Sequence, residues 1–457
     1  MSTAAFTARL DAVPLNRFHW KLLFASGFGW MFDAMDVILI SFLLAPIGKE
    51  FKLGPTTLFG IIPASQVGLV VSAGFVGMFV GAAVSGRLAD RYGRKAIFQI
   101  TLLIFCLGSI LSALAPSYET LLLARIVTGL GLGGELPVVS TLMSEFAPRA
   151  SRGRMVSLLE SFWAYGTIAA GLIGVFVLPS FGWRGAFLVG AIPAVYIAYI
   201  RRALPESPRY LASRGLMNEA DAVVRQVERE GGAPLISVAR SVAPPPGPKV
   251  GMGDLWRAAL GRRTLMLWIL WFGIVFTYYG IFTFIPSLLV ARGLTVSQSN
   301  EYFFLSTFAQ VPGYFSAAWL VERWGRKPTL VAYLLGTAVS AYLFGNAGAG
   351  TDAFIYVSLL SFFNLGAWAV VYTISPEMYP TAIRASGAGT AASVGRVGGI
   401  IGPFLTPVLV AAYGQAAVFA VFMVILVVIA VDVWVLAEET RGRSLEELGE
   451  ARVAAAS

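Results

Sequence analysis

The chain has 457 residues, of which 57% are hydrophobic and only 13% are charged, and its formal net charge is +9. Soluble domains carry about 25% charged residues, so this composition excludes an ordinary soluble protein and indicates several membrane-spanning helices. Cys106 is the only cysteine and lies in an apolar segment, so the sequence predicts neither a disulfide nor a metal site.

Apolar runs of about 20 residues each indicate membrane spans. The sequence predicts twelve of them, near residues 21–46, 60–85, 96–114, 119–143, 155–179, 183–200, 264–290, 299–320, 329–346, 353–375, 385–412 and 414–437. A polar segment precedes the first span, which is also too long for the core of a signal peptide, so we expect this span to be retained.

Lys and Arg residues are distributed unevenly between the predicted loops. Of the 34 Lys and Arg residues, 28 lie on the side that holds both termini, while the opposite side holds Lys49, Lys52, Arg184 and Arg292. This distribution follows the positive-inside rule and predicts that both termini are cytoplasmic. It also accounts for the positive net charge without nucleic acid as a partner.

Two short patterns occur twice in the chain at a constant offset of 232 residues. The charged segment 86–95 returns as 318–327, and Glu145-x-x-Pro148-x-x-x-Arg152 returns as Glu377-x-x-Pro380-x-x-x-Arg384. The sequence therefore predicts an all-α membrane protein of two six-helix repeats, as in many secondary transporters. The predicted parts are an N-terminal bundle (1–200), a cytoplasmic linker (201–263), a C-terminal bundle (264–437) and a cytoplasmic tail (438–457).

The linker contains two local signals and no catalytic pattern. Residues 216–230 predict a short amphipathic helix, and Pro244-Pro245-Pro246-Gly247-Pro248 then interrupts the chain. We interpret the linker as a tether between the two bundles.

The repeated loop charges are suited to forming ion pairs with each other and with neighbouring helix ends. Such pairs can close one conformational state and break in another, whereas charges that only set the topology would need no pairing. Because the pattern occurs twice at one offset, we predict a conformational latch formed by Asp90, Arg94, Glu145, Arg152, Glu322, Arg326, Glu377 and Arg384.

These motifs resemble those of the major facilitator superfamily. Segment 86–95 is similar to the loop signature of that superfamily, and Glu145 to Gly153 together with Pro205-Glu206-Ser207-Pro208-Arg209 resemble its sugar-porter branch and organic-ion relatives. Unlike sugar porters, the seventh span reads Trp271-Phe272-Gly273-Ile274-Val275-Phe276-Thr277-Tyr278-Tyr279-Gly280, which suits a flat ring better than a sugar rich in hydroxyl groups.

Within the superfamily, the resemblance is greatest to bacterial niacin transporters of the NiaP type. It rests on 30–36, Gly133-Gly134-Glu135-Leu136-Pro137, Glu160-Ser161-Phe162-Trp163, 362–368, Tyr278-Tyr279-Gly280 and 395–399. The resemblance implies uptake of nicotinate with protons across the bacterial cytoplasmic membrane, without a cofactor and without enzymatic activity. It also implies a monomer that contacts membrane lipid.

Six ionisable residues lie at plausible membrane depth, where an unpaired charge costs about 2.5–3.5 kcal/mol even on the mildest scale. They are Asp33, Asp36, Arg125, Glu135, Glu160 and Arg396. The repeat does not duplicate them: Asp33 corresponds to Leu265, Glu160 to Ala392 and Arg396 to Ala164. We therefore expect these charges to act at specific sites rather than to support the scaffold.

Proton-coupled relatives pair an acid on the first span with an arginine on the fourth, and Asp33 with Arg125 matches that pattern. A permanent ion pair between two helices is the alternative, and Asp36 is able to replace Asp33 in either role. Glu135 and Glu160 are further candidates for proton coupling or, alternatively, acids that join helices.

Arg396 is the candidate for binding a substrate carboxylate, because a guanidinium can hold a carboxylate through two parallel hydrogen bonds. Organic-anion carriers of this fold similarly use an arginine on the eleventh span. The alternative is a partner role for Glu160 or Glu135. The resemblance adds Trp368, Tyr372, Tyr278, Tyr279, Asn364 and Trp163 as substrate-binding candidates.

The sequence thus predicts a proton-coupled nicotinate importer that works by alternating access. One alternative keeps the carrier and changes the substrate to another aromatic acid or an organic cation, since the acidic residues favour a cation. A second alternative is a membrane receptor on a carrier fold that binds without transporting.

Overall fold

The structure is a computed structural model, which describes residues 3–58, 60–148, 151, 155, 158–193, 195–196, 199, 204–231, 252–256, 258–379 and 384–441. Arg152 and the proline run 244–248 fall outside these residues. The described part is predominantly helical, and eight of its helices are long and apolar enough to cross a membrane.

The first part of the described chain contains helices and one hairpin. In chain order these elements are α1 (Thr3–Ala12), α2 (Arg17–Glu50), β1 (Pro55–Leu58), β2 (Ile62–Ser65), α3 (Gln66–Tyr92), α4 (Arg94–Ala113), α5 (Tyr118–Phe146), α6 (Phe162–Leu172), a π-helical turn (Ile173–Val177), α7 (Leu178–Gly190), α8 (Pro208–Ser213) and α9 (Met217–Glu230). The amphipathic helix predicted at 216–230 is confirmed as α9.

A short 3-10 helix (Met252–Trp256) opens the second part, which is helical throughout its described residues. The helices that follow are α10 (Ala258–Phe282), α11 (Ile285–Ala291), α12 (Val296–Thr307), α13 (Gln310–Arg323), α14 (Arg326–Asn346), α15 (Thr351–Glu377) and α16 (Arg384–Leu436).

Breaks in the helices follow from the backbone chemistry of proline and glycine. The seventh predicted span divides into α10 and α11 near Pro286, and the eighth into α12 and α13 near Pro312, because proline has no N–H to donate to the preceding turn. The last two predicted spans form the single run α16, which bends at Gly414 (φ 79°), a left-handed conformation that glycine adopts without steric strain.

A β-hairpin stands where the sequence analysis placed the start of the second span. β1 and β2 pair antiparallel with Pro55 opposite Ser65, and α3 begins only at Gln66. The prediction of a helix from residue 60 was therefore wrong for these residues, since Gly60 (φ 72°) turns the chain and Pro63 lies within the strand. β2 contacts α16.

The chain forms two compact units. The first comprises residues 1–36, 76–166 and 187–246, and the second comprises 37–75, 167–186 and 247–457. In the second unit, Ser72 donates a hydrogen bond to the Ile400 carbonyl (2.8 Å), and Phe42 packs on Phe303 at 5.0 Å between ring centroids. The units are not identical to the predicted bundles, whose boundaries stay a prediction.

Duplication is visible at the level of single contacts. A Cβ atom on Gly81 would collide with the backbone carbonyl of Leu130, and one on Gly313 would collide with that of Phe362. Both residues of the second contact lie 232 positions after those of the first. The predicted close packing at small residues is thus confirmed between α3 and α5 and between α13 and α15.

The N-terminal helix α1 is fixed to α9 by a buried ion-pair network. Arg9 donates to both Glu228 oxygens (2.8 and 2.7 Å) and to Asp221 (2.5 Å), and Glu228 is fully buried. Burial opposes the ionisation of Asp221, but the hydrogen bond from Arg9 and the charges of Arg9 and Arg225 outweigh it and lower the pKa of Asp221.

We expect Arg9→Ala to release α1, because Glu228 would stay buried without its cation, at a cost of about 3–5 kcal/mol. Hydrogen exchange of the α1 amides should accelerate. Arg225→Ala is the matched control, since Arg225 is 53% exposed where it pairs with the same Asp221 (2.7 Å), and such pairs contribute little. Equal exchange in the two variants would contradict the role of Arg9.

Acid should release α1 as well. A carboxylate whose folded pKa is lowered stabilises the folded form above its unfolded pKa, and this contribution is lost as the pH falls through the folded value. Wild-type α1 should therefore stay protected at neutral pH and lose protection at acidic pH, below the ordinary Asp pKa near 4.

Candidate functional site

A continuous aromatic cluster joins α10 and α15 within the second unit. The Trp271 ring lies 5.6 Å from Trp368 and 5.5 Å from Tyr372, measured between centroids. Trp368 lies 5.9 Å from Tyr278, which in turn contacts Tyr279 at 4.8 Å. The structure thus brings together four predicted substrate-binding residues, Trp368, Tyr372, Tyr278 and Tyr279. Trp271 is an additional member that the sequence analysis did not single out.

The cluster continues onto α3. The Phe75 ring contacts Tyr279 at 4.3 Å and an interplanar angle of 60°. Edge-to-face contacts of this kind hold rings in fixed orientations. Phe75 was not predicted as a site residue, because a phenylalanine at the start of an apolar span carries no signal that separates it from lipid-facing or packing aromatic residues.

One face of α15 carries polar groups without partners. Ser361, Asn364, Trp368 and Tyr372 recur at intervals of three and four residues, so they lie along one side of the helix. Ser361 and Asn364 are fully buried, and Trp368 is 9% exposed. Among the described residues, no group bonds the Ser361 hydroxyl, either amide atom of Asn364, or Trp368 Nε1. Buried polar groups are rarely left unpaired, so this face indicates a ligand or ordered water.

Arg396 lies on α16 at the edge of the aromatic cluster. The preceding Gly395 has no Cβ, and one placed there would lie 3.0 Å from Val275 and 3.2 Å from the Trp271 ring, so α16 approaches α10 closely. Arg396 is half-buried, and its charge acts on the Tyr279 phenol. The structure therefore joins the predicted carboxylate-binding residue to the predicted aromatic residues.

A second group of charges lies in the first unit. Arg125 pairs with Asp36 on α2 (Nη2 to Oδ2, 2.8 Å), and Ser109 donates to the same carboxylate at 3.3 Å. Arg125 also lies over the Phe187 ring at 5.4 Å. The predicted pairing of Arg125 with Asp33 is thus corrected to Asp36, the acid one helical turn further along α2.

Asp33 faces another acid instead of a cation. Its carboxyl group lies next to that of Glu135 on α5, and both residues are buried. A Cβ on Gly29 would collide with Glu135 Oε1, so the glycine provides the space for this carboxyl group against α2. None of the four carboxyl oxygens has a hydrogen-bond partner in the described part of the chain. Two adjacent ionised carboxylates repel each other, so this pair favours taking up a proton.

Glu160 and Trp163 lie together at another position in the first unit. Glu160 is 3% exposed beside the Trp30 indole, and the Trp30 ring contacts Trp163 at 5.1 Å. Trp163, predicted as a substrate-binding residue, therefore belongs to the unit that does not contain the aromatic cluster of α10 and α15.

The predicted latch residues form the same ion pair twice. Arg94 contacts Glu145 at 3.3 Å, and Arg326, located 232 residues later, contacts Glu377 at 3.1 Å. Glu322 adds a weaker contact to Arg326 at 3.5 Å and is 72% exposed. For Asp90 and Arg384 only the backbone is described, and Arg152 lies outside the described residues, so their parts in the latch stay predictions.

Two further acids complete the latch in each copy, and the sequence analysis missed both. Glu206 accepts hydrogen bonds from the N–H groups of Arg94 (2.9 Å) and Lys95 (3.2 Å), and Glu439 does the same for Arg326 and Lys327 at 3.0 Å. Each acid thereby caps the first turn of a helix. Burial raises the pKa of Glu206, although the bonds from Ser207, Lys95 and Arg94 oppose the shift. The signal was present as an acid after each sixth span, displaced by one residue from the offset.

The duplicated helical fold, the paired latches and the polar and aromatic faces within membrane helices define a membrane carrier. The chain belongs to the family described as "Sugar (and other) transporter", whose model matches residues 24–451. It is therefore a transporter of the major facilitator superfamily and not an enzyme.

Individual relatives agree with this assignment. The chain is 48% identical to the niacin transporter NiaP of Acinetobacter baylyi, over 97% of this chain and 99% of the relative. It is 30% identical to the organic cation/carnitine transporter 7 of Arabidopsis thaliana, over 96% and 95% of the two chains. The solved partially occluded, inward-open xylose transporter XylE of E. coli matches the fold with a TM-score of 0.75 at 18% identity, covering 93% of this chain and 99% of that one.

A double-mutant cycle should separate a structural ion pair from independent charges at Asp36 and Arg125. Arg125→Met leaves Asp36 buried and uncompensated, so we expect it to lower stability by about 3–5 kcal/mol, whereas Asp36→Asn with Arg125→Met should recover much of the loss. Thermal unfolding of the purified variants in detergent measures this. Additive effects of the two substitutions would contradict a structural pair.

Proposed function

We propose that the protein imports nicotinate together with a proton across the bacterial cytoplasmic membrane by alternating access. The observation that carries the substrate is the position of Arg396 beside the aromatic cluster of α10 and α15. A ring with one carboxylate matches both features, because its face packs on the indole and phenol rings and its charge meets the guanidinium. The 48% identity to a protein named as a niacin transporter supports the same substrate.

An organic cation is the second candidate, and the relative from Arabidopsis favours it by name. The charges of the described residues argue for the anion. Asp36 is already neutralised by Arg125, and Asp33 lies against Glu135 in a pair that favours holding a proton. The aromatic cluster itself has Arg396 as its nearby charge, which would repel a cation.

Proton coupling follows from the charge of the substrate. Nicotinate is an anion near neutral pH, and an inside-negative potential opposes its entry by about 2.3 kcal/mol per 100 mV. A proton carried with each anion removes this opposition. We propose that the Asp33–Glu135 pair binds that proton, while Asp36 and Arg125 act as a permanent ion pair. The latch pairs Arg94–Glu145 and Arg326–Glu377 then hold and release one conformational state.

Uptake of labelled nicotinate into proteoliposomes, with and without an inward proton gradient, tests the proposal as a whole. Accumulation that depends on the gradient supports a proton-coupled importer. Binding to the vesicles without uptake would instead identify a receptor on a carrier fold. Uptake of an organic cation in place of nicotinate would support the second candidate.

Arg396→Ala should abolish detectable nicotinate binding, because a desolvated carboxylate would lose its cation, at a cost of about 3–5 kcal/mol. Calorimetry on purified, folded variants measures the effect, and Arg396→Lys should recover part of it. Arg262→Ala is the control, since it removes an equal charge from an exposed position in the same unit. Wild-type affinity in Arg396→Ala would rule out the carboxylate role.

Asp33→Asn and Glu135→Gln should each uncouple transport and spare substrate binding, since an amide mimics a permanently protonated acid. The variants should exchange external for internal nicotinate in proteoliposomes but fail to accumulate it under an inward proton gradient. Asp432→Asn is the matched control, as Asp432 is also a largely buried acid on a membrane helix. Accumulation at the wild-type level in both variants would exclude the pair as the proton site.

A further inference from the structure

We infer that Asn364 recognises the ring nitrogen of a heteroaromatic acid and so makes the site prefer a pyridine carboxylate to a benzene carboxylate. The inference rests on the proposed function and assigns a different part of the substrate to each residue: the carboxylate to Arg396, the ring face to the aromatic cluster, and the ring nitrogen to Asn364.

The amide of Asn364 has no use within the described structure. The residue is 0% exposed, and neither its Nδ2 nor its Oδ1 has a hydrogen-bond partner among the described residues. A buried amide left in this state destabilises the protein, so a side chain with no other task would be replaced at no loss by an apolar one of similar shape. The amide therefore indicates a polar partner that arrives with the substrate.

The neighbouring groups specify what kind of partner this is. Trp368 lies one turn along the same face and its Nε1 also lacks an acceptor, while its ring contacts Trp271 and Tyr278. The face thus offers N–H donors without a charged group, at the edge of a surface that binds rings. Such a combination fits a neutral acceptor within an aromatic ring better than a carboxylate, which Arg396 would hold more strongly.

An amide has an additional advantage at this position. A pyridine nitrogen accepts a hydrogen bond when neutral and donates one when protonated, and Asn364 can answer either form because it carries both a donor and an acceptor. Recognition of the ring would therefore not depend on the protonation state in which the substrate arrives. A carboxylate or an ammonium side chain at residue 364 would accept only one of the two forms.

Binding of nicotinate and benzoate to the purified full-length protein tests the inference, because benzoate keeps the ring and carboxylate but lacks the nitrogen. Wild type should bind benzoate roughly ten- to a hundredfold more weakly, since the buried amide would stay unpaired. Asn364→Leu should weaken nicotinate, strengthen benzoate and bring their affinity ratio close to one. Asn300→Leu replaces another buried asparagine of the second unit and should preserve the wild-type ratio.

Several outcomes would overturn the inference. Equal affinities of wild type for nicotinate and benzoate would do so while leaving nicotinate transport intact, and so would a wild-type ratio in Asn364→Leu. If that variant does not fold, the wild-type comparison still decides, and Trp368→Phe, which keeps a ring but removes Nε1, should reduce the ratio only partly. Wild type that binds neither compound would overturn the proposed function and this inference with it.

Discussion

Compensation of charge in a dry interior is the constraint on which this structure depends. Asp36 and Arg125 meet it as an ion pair at 2.8 Å, and Arg9 meets it for Glu228 outside the membrane helices. Asp33 and Glu135 cannot meet it in this way, because each faces the other acid. A proton is the smallest group that can correct such an imbalance, and its arrival and departure would change the charge of the site without rearranging any helix.

The two sets of functional residues differ in how they handle polarity. The aromatic cluster of α10 and α15 relies on apolar area and ring geometry, with Arg396 at its edge. The acids of α2 and α5 rely on electrostatics in a site without a nearby cation of their own. Separating ring recognition from proton binding lets each respond to its own ligand, so that coupling resides in the conformational change and not in direct contact between substrate and proton.

Sequence patterns were sufficient for the repeat and for the class of protein, because long apolar runs and a constant offset of 232 residues survive any detail of packing. They also identified Arg396 and Trp368, which carry unusual chemistry for a membrane span. They were insufficient for the pairing of Arg125. Asp33 and Asp36 are one turn apart, and the choice between them depends on the rotation of α2 against α5, which periodicity does not determine.

The same limit explains the other differences. The hairpin at residues 55–65 is as apolar as a helix end, so its composition concealed it, and Glu206 and Glu439 act through backbone N–H groups that carry no sequence signal. Phe75 and Trp271 became site residues only through the contacts that the fold gives them. What sequence reasoning could not supply is therefore rotation and register, not residue chemistry.

The glycine contacts at Gly81 and Gly313 have a mechanical consequence. In each, the atom that excludes a side chain is a backbone carbonyl, which cannot move aside by changing rotamer. The two helices at each contact therefore behave as one stiff strut, and bending during a transport cycle must occur at other joints. Gly414 and the proline-interrupted segments near Pro286 and Pro312 are suited to serve as those joints, which places the compliance of the carrier at a few residues and leaves its paired helices rigid.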